Sequence, residues 1–143
     1  MWSPISELSS KKRPKIKFDF SVSFTKAIFG STVGFKNATF CRETDFSSAR
    51  FYGEADFEDV KFDSNTNFSR AEFVGEATFM DTEFNDNAIF AVAKFRGCAN
   101  FWSAKFNRDV NFHAAEFNGL GLFEDVGFSK ETSFIGAEFA HTA

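Results

Sequence analysis

Few side chains in this sequence could do chemistry, and their spacing decides what kind. His113 and His141 are the two histidines, and an imidazole acts as a base or a metal ligand only beside a partner group. Their separation along the chain is neither a half coil nor a full coil of the repeat derived below, so each is expected at a surface corner. Cys41 and Cys98 are the two cysteines; they fall on different corners several coils apart and are expected as free thiols of a reducing compartment. The acidic pairs Glu58-Asp59 and Glu124-Asp125 read as solvated surface. No Gly-rich phosphate loop, Cys/His metal spacing or nucleophile elbow occurs. The sequence therefore predicts no catalytic, cofactor-binding or metal-binding residue, and no enzyme.

What must be positioned instead is phenylalanine. The chain holds 24 Phe against one Tyr and two Trp, and a general core would use Leu, Ile and Val at least as often. From Phe18 to Phe139 the gaps between successive Phe alternate between six and five without a slip, with Phe20 alone out of register. Two residues before each Phe from Phe24 onward stands a small residue, from Val22 and Ala27 through Thr66 and Ala99 to Ala137, and the residue between is mostly polar. Small-in, polar-out, Phe-in is strand alternation. A helix would carry this spacing around its circumference. Short sides joined by corners of two and three residues fit it, giving an eleven-residue double repeat whose sides cannot bury Phe unless they stack.

The units "ADFED" at 55–59, "TNFSR" at 66–70, "ATFMD" at 77–81, "ANFWS" at 99–103 and "VNFHA" at 110–114 carry a resemblance. From about residue 18 to 141 the chain resembles the pentapeptide-repeat proteins, whose tandem A(D/N)LXX units wind a right-handed, four-sided β-helix. It departs from them in the sixth residue of every second unit, which lengthens a coil from about twenty residues to about twenty-two. Two features agree with that step. Gly53, Gly75, Gly97 and Gly119 recur at that same interval, in alternate three-residue corners, where a positive φ is expected to favour Gly. Arg50, Glu72, Lys94 and Glu116 alternate in sign at the same step, as do Lys61, Glu83 and Lys105; an eleven-residue coil would stack like charges.

The expected fold is therefore all-β: a right-handed quadrilateral parallel β-helix with four short sides and about 22 residues per coil, and about 5.5 coils. At roughly 4.8 Å per rung this is a rod about 26 Å long. Phe57, Phe79, Phe101 and Phe123 form one of its core ladders. Residues 18–143 make the solenoid and residues 1–17 a basic segment. There Ser3 and Pro4 suit the start of a helix, and Trp2, Ile5, Leu8 and Ile16 suit a cap over the first coil. At the other end the chain stops four residues after Phe139, so the last coil is expected to be covered by another copy or continued in a longer protein.

No membrane span and no secretion signal is visible, and a cytoplasmic protein is expected. Residues 1–20 carry Lys11, Lys12, Arg13, Lys15 and Lys17 against Glu7 and Asp19, a balance of 5 − 2 = +3, which leaves −7 on the remainder of a chain of net −4. Nucleic acid is not expected as a partner except through that basic segment.

Apolar residues at outward positions are informative because the core is already supplied. Met80, Trp102, Leu120 and Leu122 are expected to form a patch for a protein partner or for a homodimer through the C-terminal half or end, with Trp102 as anchor. Ile89, Ala91 and Val92 form a weaker patch. The leading expectation is a non-enzymatic module presenting a rigid surface for protein binding or self-association. The resemblance implies an alternative, an acidic DNA mimic that inhibits or protects a type II topoisomerase, for which Asp59, Asp81, Asp125, Glu54 and Glu76 would supply the acidic stripe. A further alternative is a targeting or sensory appendage of a longer protein. Ice binding is excluded, since Thr44, Thr66, Thr82 and Thr132 are expected to face inward.

Overall fold

The computed structural model describes residues 15–140; the helix start and cap expected over Trp2, Ser3, Pro4, Ile5 and Leu8, and His141, lie outside them. The small-polar-Phe triplets form 23 two-residue strands, from Lys17–Phe18 to Glu138–Phe139. They assemble into four parallel sheets, one per side of the coil. Side A starts at Lys17–Phe18, side B at Val22–Ser23 and side C at Ile28–Phe29, each with six strands; side D runs from Val33–Gly34 to Gly121–Leu122 with five. Every pairing joins residue n to n+22, as in Phe18 with Phe40 and Ala77 with Ala99. The coil length and its four sides are as the sequence predicts. Backbone donors on sides A and C point to the preceding coil, as Thr39 N–H does to the Ile16 carbonyl. Those on sides B and D point to the following one, as Val33 N–H does to Glu54.

The rod's interior is filled by the small and Phe columns. Phe46, Phe57, Phe68, Phe79, Phe90 and Phe101 have no exposed surface. Within a ladder the rings stack nearly parallel, as for Phe57–Phe79 at 5.0 Å and 1° and Phe79–Phe101 at 4.8 Å and 5°. These centroid distances are longer than the roughly 3.5–4.0 Å of a cofacial contact, so the rings are offset. Between ladders they meet edge to face, as for Phe57–Phe68 at 5.4 Å and 88°. Both geometries satisfy the ring quadrupole, which explains why one residue type recurs. Thr44, Thr66 and Thr82 are buried among the rings, and their hydroxyls donate to the carbonyls of Arg42, Ser64 and Phe57.

The corners correct one expectation. Gly53, Gly75, Gly97 and Gly119 do not adopt positive φ. A Cβ on Gly75 would lie 2.6 Å from the Gly53 carbonyl oxygen, and one on Gly97 2.7 Å from that of Gly75. The glycines are there because successive coils touch backbone to backbone at the corner between sides C and D. Positive φ occurs instead in the two-residue corners, at Lys26, Asn37, Ser48, Asp59 and then at each successive corner of this kind up to Gly136. Each described corner of this kind is a β-turn with positive φ at its third residue, the type II arrangement, often closed as in Ala49 N–H to the Phe46 carbonyl. Val92, at φ 61°, is the outlier, because a β-branched residue is strained in this region.

Candidate interaction face

The two-residue corners set a rule for the residue between the small residue and Phe on sides B and D. Its side chain accepts the N–H two residues on, from Asp45 to Ser47 (2.8 Å), Asp56 to Glu58 (2.9 Å), Asn67 to Ser69 (2.8 Å) and Asn100 to Trp102 (2.9 Å). An Asn, Asp, Ser or Thr oxygen satisfies a turn donor that no backbone carbonyl reaches. Sides A and C lead into three-residue corners and carry long charged residues there instead, such as Lys61 and Glu72. Three residues at capping positions bring no acceptor: Gly34, Ile89 and Leu122. Ile89 and Leu122 put an aliphatic side chain outside where the turn calls for a polar one. The signal was legible in the alternation of "TNF", "ADF" and "ANF" against "AIF" and "GLF", but its meaning depends on the turn geometry.

Leu122 lies on side D, and the register brings most candidate residues to that side. Along the Phe-following column, Lys36, Glu58, Met80, Trp102 and Glu124 succeed one another, one from each coil. The second coil contributes Glu54, Asp56, Glu58 and Asp59, and the third Glu76 and Asp81; the fifth contributes Glu124 and Asp125. Against these eight carboxylates side D has one cation among the described residues, Lys36, which reaches Glu58 at 3.4 Å; Arg96, at the start of the corner that ends in Cys98, turns to Glu72 on side C. Carboxylate oxygens of Glu58, Asp59 and Asp81 all lie within 4.8 Å of one another. Glu58 is half-buried and Asp59 and Asp81 are exposed, so they concentrate negative charge at the surface.

Turn geometry explains part of this acidity. Asp59, Asp81 and Asp125 occupy positive-φ positions, which Asp and Asn tolerate. The corresponding corner of side B holds Lys26, Ser48, Arg70, Val92 and Ala114 in the same conformation, so geometry does not require a negative charge there.

Above the acids, side D is apolar. Trp102 and Leu120 are each 46% exposed, and Met80 and Leu122 are half-buried. Asn100, Trp102, Leu122 and Glu124 line a shallow depression of about 280 Å³. Cys98 stands below Leu120 in the same column; burial and the Glu76 carboxylate push its thiol pKa up, which keeps it protonated and a poor nucleophile near neutrality. Cys41, also free, lies on side A. The sequence-derived acidic stripe (Asp59, Asp81, Asp125, Glu54, Glu76) and apolar patch (Met80, Trp102, Leu120, Leu122) thus share one side: Glu54, Asp59, Glu76 and Asp81 towards the N-terminal end, the apolar groups beyond them, and Asp125 with Glu124 past those. The second patch, Ile89, Ala91 and Val92, sits apart on side B and its corner. His113 is exposed on a side B corner, its backbone N–H donating to Asn111 Oδ1 at 2.7 Å. Among the described residues no helix is long and apolar enough to cross a membrane.

Comparison with known proteins agrees with this geometry. The family described as pentapeptide repeats (9 copies) matches residues 15–61 and 46–93, together more than half of the chain. No curated protein and no solved structure gives a significant match.

Proposed function

The chain belongs to the pentapeptide-repeat family, and from that premise we propose that it is a non-enzymatic interaction module that binds protein through the apolar half of side D. The observation that carries this reading is Leu122. It replaces a turn-capping acceptor with an aliphatic side chain, next to a half-exposed tryptophan. Residues that break a local structural rule without a compensating contact point to function, and a tryptophan ringed by smaller apolar groups is a favoured anchor for a protein partner. A rigid stack of coils holds that anchor without an ordering cost on binding.

Self-association is the form of binding that can be measured first. Light scattering coupled to size exclusion should give a mass of two copies for the wild type and one for Trp102→Ala. Equal masses would remove self-association. Equal retention of protein partners by the two would then remove the face itself.

The acidity of side D supports a second reading, the DNA mimic acting on a type II topoisomerase. Its weakness is the fourth coil, where Cys98, Asn100, Trp102 and Ser103 interrupt the carboxylates. Unchanged gyrase supercoiling at large protein excess would dismiss it.

A further inference from the structure

Charge is also uneven at the foot of the rod. Residues 15–38, the first coil and the two residues that lead into it, carry Lys15, Lys17, Lys26 and Lys36 against Asp19 alone. Before it stand Lys11, Lys12 and Arg13, and before those Trp2, Ile5 and Leu8. Three more cations next to it in sequence add to a first coil that is already positive, and like charges repel within the Debye length of about 8–10 Å. Side D offers the opposite sign one coil further up.

The point where the chain enters the rod favours the same side. The coil register sets Lys15 at the foot of the corner column Asn37, Asp59, Asp81, and Lys15, Asn37 and Asp59 line one depression. Moving away from Lys15, residues 13 to 2 read cations, then apolar groups. Moving up side D from the same corner, the surface reads acids, then apolar groups, with Glu124 and Asp125 past their far end.

We propose that residues 2–13 occupy side D of the same molecule, as a ligand carried by the chain itself. Lys11, Lys12 and Arg13 meet Glu58, Asp59 and Asp81, and Trp2, Ile5 and Leu8 meet Met80, Trp102 and Leu122. The lengths agree. At roughly 4.8 Å per coil, Asp59 lies about 10 Å and Ser103 about 19 Å above Lys15 along the axis. Two to four residues of extended chain span about 7–13 Å, and seven to ten span about 23–33 Å. Charge complementarity fixes direction and register, and the tether gives an effective concentration in the millimolar range. In the free monomer side D is then covered by its own chain, and a second copy or an outside partner binds there only by displacing that segment.

Zero-length carbodiimide crosslinking of the full chain at low salt, followed by peptide mass spectrometry, tests this. Crosslinks from Lys11 and Lys12 to Glu58, Asp59 or Asp81 are expected within the monomer. In a Trp2→Phe background, where Trp102 is the one remaining tryptophan, and at a dilution where light scattering gives one copy, Trp102 should be shielded from acrylamide, and the shielding should be lost when Lys11, Lys12 and Arg13 are all changed to Glu. The proposal is overturned by crosslinks that run only to acids off side D, that form only between two copies or that do not form, and equally by unchanged quenching. It rests on side D as a binding face but not on an outside partner. Crosslinks formed in a protein whose associations ignore Trp102→Ala would sink the proposed function alone, whereas a Trp102-dependent complex without crosslinks would sink this inference alone.

Discussion

Sides C and D share one interior and have opposite exteriors. Both stack an alanine-rich column beneath a phenylalanine ladder, with Phe73–Phe95 at 4.9 Å and Phe79–Phe101 at 4.8 Å. On side C, Arg50, Glu72, Lys94 and Glu116 alternate, and Arg50 and Arg96 reach Glu72 at 3.6 and 2.6 Å while Lys94 reaches Glu116 at 3.7 Å. Only its last step, Glu116 beside Glu138, stacks like charges. On side D, like is grouped with like along the axis: carboxylates over the second and third coils, apolar groups up to Leu122 after them, and Glu124 and Asp125 beyond. A surface that neutralises itself leaves little for a partner to satisfy. A surface that segregates its charge and its apolar groups leaves both to be satisfied from outside.

If the interiors are equivalent, Phe73→Ala and Phe79→Ala should each cost about 3–5 kcal/mol by the cavity they leave, and chemical denaturation should find them within about 1 kcal/mol of each other. A large gap would break the comparison at its base. The seam between the two sides comes next. Gly97→Ala drives a methyl group into the Gly75 carbonyl and should cost about 1–3 kcal/mol, as overpacking does. Arg108→Ala, in the middle of a three-residue corner that lacks glycine and at an exposed position, should stay within about 0.5 kcal/mol.

Smaller effects separate turn demands from surface demands. Val92→Gly relieves a strained positive φ and should raise stability by about 1 kcal/mol, seen as a higher denaturation midpoint. Leu122→Asn supplies the missing turn acceptor and should add about 0.5–1.5 kcal/mol while it weakens the Trp102-dependent association. A variant that loses stability would mean that Leu122 serves the fold. The smallest change is expected on side C, where Glu72→Gln removes exposed pairs worth about 0–1 kcal/mol and should leave association untouched.

The repeat itself was legible because a solenoid writes its tertiary contacts as a local period. Phe spacing with small residues two positions earlier gave the side, and Arg50, Glu72, Lys94 and Glu116 gave the step from coil to coil. Thr44, Thr66 and Thr82 were placed inside by the same alternation. The reason for the glycine column was not legible. A recurring Gly signals either a positive φ or a close approach, and the choice depends on how near the neighbouring coil comes. The strained φ of Val92 and the capping oxygens of Asp56 and Asn100 likewise depend on a turn type that "two residues between Phe and Ala" does not specify.

By itself the sequence determined the period, the inward columns and the charge alternation down side C, because each is a fixed interval along the chain. The tertiary structure decided that Glu54, Asp59, Trp102 and Leu122, drawn from different coils and distant in sequence, share one side, and that Leu122 stands where a turn wants an acceptor. Winding four sides around one axis turns sequence distance into angle and height, and which surface groups become neighbours depends on both.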